Sequence, residues 1–545
     1  MGFGLAFLVG ALLYQLVSAF QSIQFLNQQV IVLDDAYYYF QVARNFVLRG
    51  WATFDGLHAT SGIQLLWGLI LFGVAGVFTE RIAFLHAALA LSALMNGGAG
   101  VLLWRFARKL YSPALGELAV MIWAGFMLGL RPTMMGMEYP LHITVIVVLF
   151  FIAWDLFAHP QNASLGKIAA LGMFAAFNFG TRLDSGVYSA LLIALVLLVL
   201  LRARVERSFL LKALVVLGAI LGVSVCLFAA LNYSFAGTLM PLSGLVKSFY
   251  AAHHFDAYGW TTALAGHVFW FVEIQARAIL DVVASILLEG EVYEPLALIV
   301  ILGMLGASVW GARRIYVTRA QNPERFRFAQ FLGLLWLFGV VHVVTVVGTI
   351  GHFAHITQHY WGWLFITWCL WAAVLVEMAL DGIQNARVRR SVAAIGLAAF
   401  LGAHLWFAVA YYIQPFVPNL NNRRVETAAW INAHLPPDAR IGAWNAGVLG
   451  YFSDRTVVNL DGLANDREYL QFLASGAPLQ VYLQQQQIHY IVDVDAQDLS
   501  MPYQAAWDHV QLFRNVLPWS QLDILMQDNK VALYVLRLQV ESASK

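Results

Sequence analysis

Charge, cysteine and nucleotide-binding fingerprints are all scarce in this chain. Only 12% of its 545 residues are Asp, Glu, Lys or Arg, against about 25% in an ordinary soluble domain. A formal net charge of +1 gives no electrostatic reason to expect a nucleic-acid partner. The two cysteines, Cys226 and Cys369, both sit inside apolar runs, so disulfides carry no part of the fold and say nothing about compartment. No Walker or GxGxxG pattern occurs, and Gly442, Gly447 and Gly450 lack the spacing and the strand-to-helix context of a dinucleotide site. No HExxH pattern marks a zinc protease.

What replaces them is hydrocarbon. The composition is 60% hydrophobic with 18 Trp and 37 Phe, and mean hydropathy is +0.69. Apolar runs recur to about Tyr412 and then stop. The expected architecture is a polytopic α-helical membrane protein (residues 1–413) followed by a C-terminal extracytoplasmic α/β domain (414–545). Candidate spans are 5–27, 82–104, 114–130, 139–158, 168–181, 185–201, 212–231, 295–311, 328–350, 361–380 and 391–413. No small-x-small cleavage context follows the first, which reads as an uncleaved helix.

The basic loops Arg105 to Lys109, Arg202 to Arg207, Arg313 to Arg327 and Arg387 to Arg390 belong in the cytoplasm. That makes 11 crossings with the N-terminus inside and the C-terminus outside, provided that the short run 63–78 is re-entrant or interfacial. Residues 267–288 carry Glu273, Arg277 and Asp281 and read as an amphipathic surface helix.

On this topology the outer face holds nearly every unusual side chain. Asp34 and Asp35 head the first loop, where hydrocarbon makes a double acid costly. One of them could cap the helix that follows, which leaves the other for a metal or a substrate hydroxyl. In that helix Tyr37, Gln41 and Arg44 would share one side, with Tyr39, Phe40 and Ala43 toward lipid or core. Glu138 and His142 stand at the next outer loop, either as site residues or paired with neighbours. Arg182 and Asp184 form a structural pair, or Arg182 grips a phosphate.

Lys247 lies in a long loop from Asn232 to Thr262, where it meets a lipid-linked phosphate or snorkels to headgroups. His352, His355, His359, Tyr360 and Trp361 cluster in the last outer loop. They suit phosphate or sugar hydroxyls, with zinc or a ligand-free cluster as alternatives. The constellation suits one reaction: an apolar-tailed substrate with a phosphate leaving group held by Arg182 and Lys247, and an acceptor hydroxyl deprotonated by Asp34 or Asp35. The competing class is a secondary transporter, although no internal repeat or broken midplane helix points to one.

In the tail, strands are expected at Arg440 to Trp444, Thr456 to Leu460, His489 to Val494 and Val531 to Leu538, with helices at Val425 to Leu435 and Pro478 to Gln487. Asp461-Gly462 reads as a turn. The domain covers the site mouth, holds the acceptor, or only stabilises.

Several short motifs in order resemble the GT-C superfamily, polytopic glycosyltransferases that use polyprenyl-phosphate sugars, and bacterial arabinofuranosyltransferase and mannosyltransferase members above all. These are Asp34-Asp35-Ala36-Tyr37 with Ala43-Arg44-Asn45; Ser61-Gly62; Gly136-Met137-Glu138; Thr181-Arg182-Leu183-Asp184-Ser185-Gly186; Asn232-Tyr233 through Pro241 to Lys247; and Val458-Asn459-Leu460-Asp461-Gly462-Leu463-Ala464-Asn465. The resemblance implies an inverting transfer from a polyprenyl-phosphate sugar to a glycan, lipid or protein hydroxyl at the outer face of a bacterial inner membrane. Asp34 would be the base and Asp35 its assistant or metal-facing partner. Tyr37, Arg44, Glu138, Arg182, Asp184, Lys247, His355, His359 and Tyr360 would bind substrate. A divalent metal, Mg or Mn, on Asp34 and Asp35 is left open. Arg182-Leu183-Asp184 lacks the proline usual in that motif, and His359-Tyr360 stands where relatives carry Arg-Tyr.

Overall fold

A computed structural model describes residues 2–29, 31–110, 112–128, 135–258, 294–350, 360, 362–413, 420–494, 522–528 and 533–538. The expected amphipathic helix at 267–288 and the histidines His352, His355 and His359 lie outside these residues.

Among the described residues, eight helices are long and apolar enough to cross a membrane, and Phe3–Ala19, Leu65–Val77 and Pro113–Leu128 are shorter apolar helices. This is a multi-pass membrane protein. In chain order the helices are α1 (Phe3–Ala19), α2 (Ile23–Gln28), α3 (Asp34–Arg49), α4 (Leu65–Val77), α5 (Arg81–Leu110), α6 (Pro113–Leu128), α7 (Tyr139–Ala158), α8 (Leu165–Thr181), α9 (Ser185–Arg202), α10 (Arg207–Ala236), α11 (Leu242–Tyr258), α12 (Glu294–Val317), α13 (Pro323–Ile350), α14 (Gly362–Asp381) and α15 (Ala386–Ile413).

Two sequence expectations need correction. The first expected span, 5–27, is broken into α1 and α2, with Ser22 accepting the Phe25 N–H as the cap that starts the second piece. The long loop expected around Lys247 is interrupted by α11, so Lys247 rides a helix and is not on a flexible strap. Helix α4, at 13 residues, covers about 20 Å at 1.5 Å per residue, less than the ~30 Å hydrocarbon core.

Helix α3 is the element on which the site is built. Its first turn carries Asp34 and Asp35, where negative charge is favoured by the helix dipole. Tyr37, Tyr38, Tyr39 and Phe40 are all buried, on every side of the helix. This first half of α3 is enclosed because membrane helices pack on one side, where Tyr39 meets Glu138, and the C-terminal sheet domain on the other, where Tyr38 meets Trp444. The expected division of α3, with Tyr37 turned to a polar side, is therefore not observed.

The sheet domain begins with α16 (Leu420–His434) and adds α17 (Gly447–Phe452), α18 (Arg467–Ser475) and α19 (Leu479–Gln485). Its strands β1 (Arg440–Ala443), β2 (Thr456–Asn459), β3 (Tyr490–Val494), β4 (Leu522–Asp528) and β5 (Leu533–Leu538) form one sheet in the order β2-β1-β3-β5-β4. β1 is parallel to β2 and β3, and β5 is antiparallel to β3 and β4. The parallel strands are joined by helical crossovers and the antiparallel pair is adjacent in sequence, as each geometry requires. Four strands match the sequence expectation to within a few residues. β4, α17 and α18 were not anticipated, and α16 absorbs most of the polar stretch Asn419 to Arg424.

The first loop and this domain meet backbone to backbone. A Cβ on Gly447 would collide with the Asp34 carbonyl, and one on Gly62 with the Leu463 carbonyl, so glycine is what permits both approaches. His58 completes the seam: its Nδ1 lies 2.6 Å from Asp55 Oδ2 and its Nε2 3.1 Å from Gln486 Oε1 on α19's C-terminal side.

Candidate active site

The two adjacent acids have different jobs. Asp34 accepts the Val448 N–H at 2.9 Å and the Gly447 N–H at 3.3 Å, and Arg424 stands 3.6 Å from its Oδ1. It does not cap its own helix. It caps α17 and holds the sheet domain against α3. Removing these bonds in Asp34→Ala is expected to cost about 1–3 kcal/mol, the range for leaving buried donors unsatisfied. Thermal unfolding checks this, and Asp34→Asn, which keeps an acceptor oxygen, should lose less.

Asp35 makes no hydrogen bond or ion pair among the described residues and keeps accessible surface. Protein nevertheless closes around it, and lost hydration pushes its carboxyl up to about 6, with Lys247 pulling the other way and Asp34 and Glu138 adding to the rise. A carboxylate that is both accessible and largely enclosed stands in a recess, free to meet a ligand.

Lys247 faces the same recess. Its Nζ donates to the Tyr360 hydroxyl at 3.1 Å. Burial works to lower the ammonium pKa, but Tyr360 and Asp35 outweigh it and the net shift is upward, so the group stays charged.

The Tyr360 ring also lies 4.0 Å from the Arg182 guanidinium, a cation–π stack in a buried setting. Arg182 itself is 1% exposed and is held by Glu138 Oε1 at 2.5 Å and Asp184 Oδ1 at 3.0 Å. The chain of contacts continues at both ends, with Tyr39 donating to Glu138 Oε2 at 3.0 Å and His342 Nε2 at 3.0 Å from Asp184 Oδ2. Of the two readings of Arg182, the structure contains the ion pair, and its charge is matched by two carboxylates behind the aromatic ring. His142, one turn into α7, is buried with Nδ1 3.3 Å from Thr181 Oγ1.

Two other expected residues are elsewhere. Tyr37 is fully buried and donates to Asn27 Oδ1 at 2.9 Å. Arg44 is nine residues beyond Asp35, about 2.5 helical turns and ~13 Å along the axis, which turns it to the opposite face of α3. It lies 5.7 Å from the Tyr451 ring. Neither side chain is turned toward the Asp35 carboxylate.

The sheet domain brings Asp461, expected only in a turn, up to the two helices of the recess. Asp461 Oδ2 accepts from the Tyr38 hydroxyl at 3.3 Å, its Oδ1 accepts the Leu463 N–H at 2.7 Å, and its carbonyl accepts from the Tyr250 hydroxyl at 3.1 Å. Tyr38 is one turn beyond Asp35, and Tyr250 one turn beyond Lys247. A single turn of the domain thus ties together the two helices that carry the recess acid and the recess cation. Burial raises the Asp461 carboxyl to about 7, with the Asp35 charge contributing. The positive φ of Gly462, +83°, bears out the turn. The signal for His342 was a titratable residue inside an apolar span. For Asp461 the signal was its turn with Gly462 and its place in the Val458 to Asn465 motif; for Tyr38 no local signal existed.

Solved structures with the same fold were found. Crystal structures of an oligosaccharyltransferase from Archaeoglobus fulgidus align over 93% of this chain and 71% of theirs in the apo form, at 12% identity and a TM-score of 0.57. The enzyme of that organism named AglB, in complex with an inhibitory peptide and a dolichol-phosphate, aligns over 92% of this chain and 71% of its own, at 12% identity and a TM-score of 0.56. ArnT from Cupriavidus metallidurans, bound to undecaprenyl phosphate, covers 98% of both chains at 14% identity and a TM-score of 0.56. The chain shares the fold of these membrane proteins over nearly its whole length. Residues 416–534 match DUF8728, a domain of unknown function. No curated protein matches the chain by sequence.

Proposed function

We propose that this protein is a membrane glycosyltransferase that moves a sugar from a polyprenyl-phosphate donor to an acceptor hydroxyl at the extracytoplasmic face, with Asp35 as the base. One observation carries the reading: among the described residues Asp35 has no hydrogen-bond partner, and it stands in a recess it shares with the charged Lys247. The solved relatives with dolichol-phosphate and undecaprenyl phosphate support the donor class.

In the transfer, Asp35 takes the proton of the acceptor hydroxyl. The oxygen attacks the anomeric carbon from the face opposite the phosphate, the bond from that carbon to the phosphate oxygen breaks, and the configuration inverts. Lys247 neutralises the departing polyprenyl phosphate, and Tyr360 holds the ammonium in place. Arg182, Glu138 and Asp184 act behind Tyr360 as positioning residues. The proposed division is a transmembrane catalytic domain (1–413) with an extracytoplasmic sheet domain (414–545) that completes the site.

The residues fit a metal poorly. Among the described residues no three ligating groups converge, Asp34 is engaged by two amides and Arg424, and Lys247 already faces Asp35.

The test supplies purified protein with pentose and hexose polyprenyl phosphates and a panel of glycan, lipid and protein acceptors, with and without EDTA. Donor-dependent transfer that survives the chelator is the expected result, and absence of transfer across the panel would count against the reading. Because the base must be unprotonated and its carboxyl is raised to about 6, kcat/KM should climb with pH through about 6 and then level. A limb centred near ~4, the value of an ordinary carboxylate, would remove Asp35 from that role.

A further inference from the structure

Arg44 has no place in the recess, yet it is half-buried and its Nε is shielded from solvent without a hydrogen-bond partner. No hydrogen bond or ion pair to its guanidinium occurs among the described residues. The charges near it are already engaged. Arg81 pairs with Asp454 at 3.2 Å and donates to the Phe452 carbonyl at 3.2 Å. Glu80 accepts the N–H groups of Ile82 and Ala83 at 2.9 and 2.6 Å. A guanidinium has five donors, and one left without an acceptor in a half-buried place is costly unless something supplies oxygen.

The surroundings say what that something is. Arg44 borders a surface crevice too shallow to enclose a water molecule, together with Val47, Leu48, Ala75 and Thr79, where the end of α3 meets the turn between α4 and α5. Leu48 is 61% exposed, Val77 74% and Phe78 43%; in a membrane protein such a collar faces acyl chains. The same turn touches the sheet domain through Arg81, beside the solvent-exposed Asp454. The crevice therefore lies where apolar surface gives way to polar, the depth at which lipid phosphates sit.

We propose that Arg44 and Thr79 bind the phosphodiester of an anionic phospholipid whose acyl chains run along Leu48, Val77 and Phe78. Arginine suits this task because its planar fork meets two phosphate oxygens at once. The site is on the face of α3 away from Asp35, so it is separate from the donor site and stands whether or not the proposed transfer is correct.

The test titrates the full-length protein in detergent with phosphatidylglycerol, with phosphatidylcholine of the same acyl chains, and with inorganic phosphate, following thermal unfolding. Phosphatidylglycerol should raise Tm beyond phosphatidylcholine, Arg44→Gln should lose most of that extra rise, and inorganic phosphate should not reproduce it. A photoactivatable phosphatidylglycerol on the wild-type protein should label residues 44–48 and 75–79, a readout that needs no variant to fold. An undiminished rise in Arg44→Gln, labelling confined to other segments, or an equal rise with inorganic phosphate would each overturn the lipid site.

Discussion

Asp35→Asn is expected to lower kcat by about 10²–10⁴-fold, the usual worth of a positioned general base, with little change in stability. The asymmetry follows from its surroundings. Asp35 has no hydrogen bond to lose, so replacing it leaves no donor stranded in the protein. Removing a carboxyl that lost hydration holds near pKa 6 also relieves the cost of its charge. The neighbouring Asp34→Asn should do the opposite, weakening the grip on α17 while leaving a base in the recess. Measuring turnover and unfolding on both variants separates the two acids. If Asp34→Asn proved as inactive as Asp35→Asn at unchanged stability, the assignment of Asp35 as base would be wrong and the order implied by the family resemblance, with Asp34 leading, would stand.

Glu138→Ala should be the most destabilising single change in the membrane region. It strips a 2.5 Å partner from Arg182, whose side chain is 1% exposed, and leaves the Tyr39 hydroxyl without its acceptor. Breaking one side of a buried pair costs about 3–5 kcal/mol, because the remaining charge is uncompensated. Asp184 holds the other edge of the guanidinium at 3.0 Å, so the loss should fall toward the lower end of that range. Thermal unfolding in detergent gives the value. If Glu138→Ala cost no more than a surface substitution, the ion pair would not be the structural element described. The same variant should weaken catalysis through position, because Arg182 supports the Tyr360 ring and Tyr360 holds Lys247.

Much of this arrangement was legible in the sequence because the membrane makes polar residues conspicuous. An acid beside hydrocarbon, an arginine between two apolar runs and a lone lysine among small residues are each costly, and Asp35, Arg182 and Lys247 do converge on the recess or its supports. Contact partners were not legible. Asp34 and Asp35 are adjacent and identical in type, and nothing local says that one meets two backbone amides 413 and 414 positions away. Arg44 enters the expected site through its helical spacing with Tyr37 and Gln41 and through the family resemblance, and helix geometry sets it on the face of α3 away from Asp35. Tyr37 through Phe40 read as a mixed polar and apolar stretch, and the membrane helices and the sheet domain together bury all four.

By itself the sequence determined that this is a many-helix membrane protein with a soluble α/β end, since hydropathy and periodicity are local properties that burial in lipid or a sheet enforces residue by residue. It also determined the inventory of charged groups at the recess. The tertiary structure alone decided which acid is free and which is a clamp, that Arg182 is neutralised by Glu138 and Asp184, and that Asp461 joins the helices bearing Asp35 and Lys247. Those outcomes depend mostly on contacts between segments 44 to 414 residues apart, whose distances and lost hydration exist only once the chain has folded.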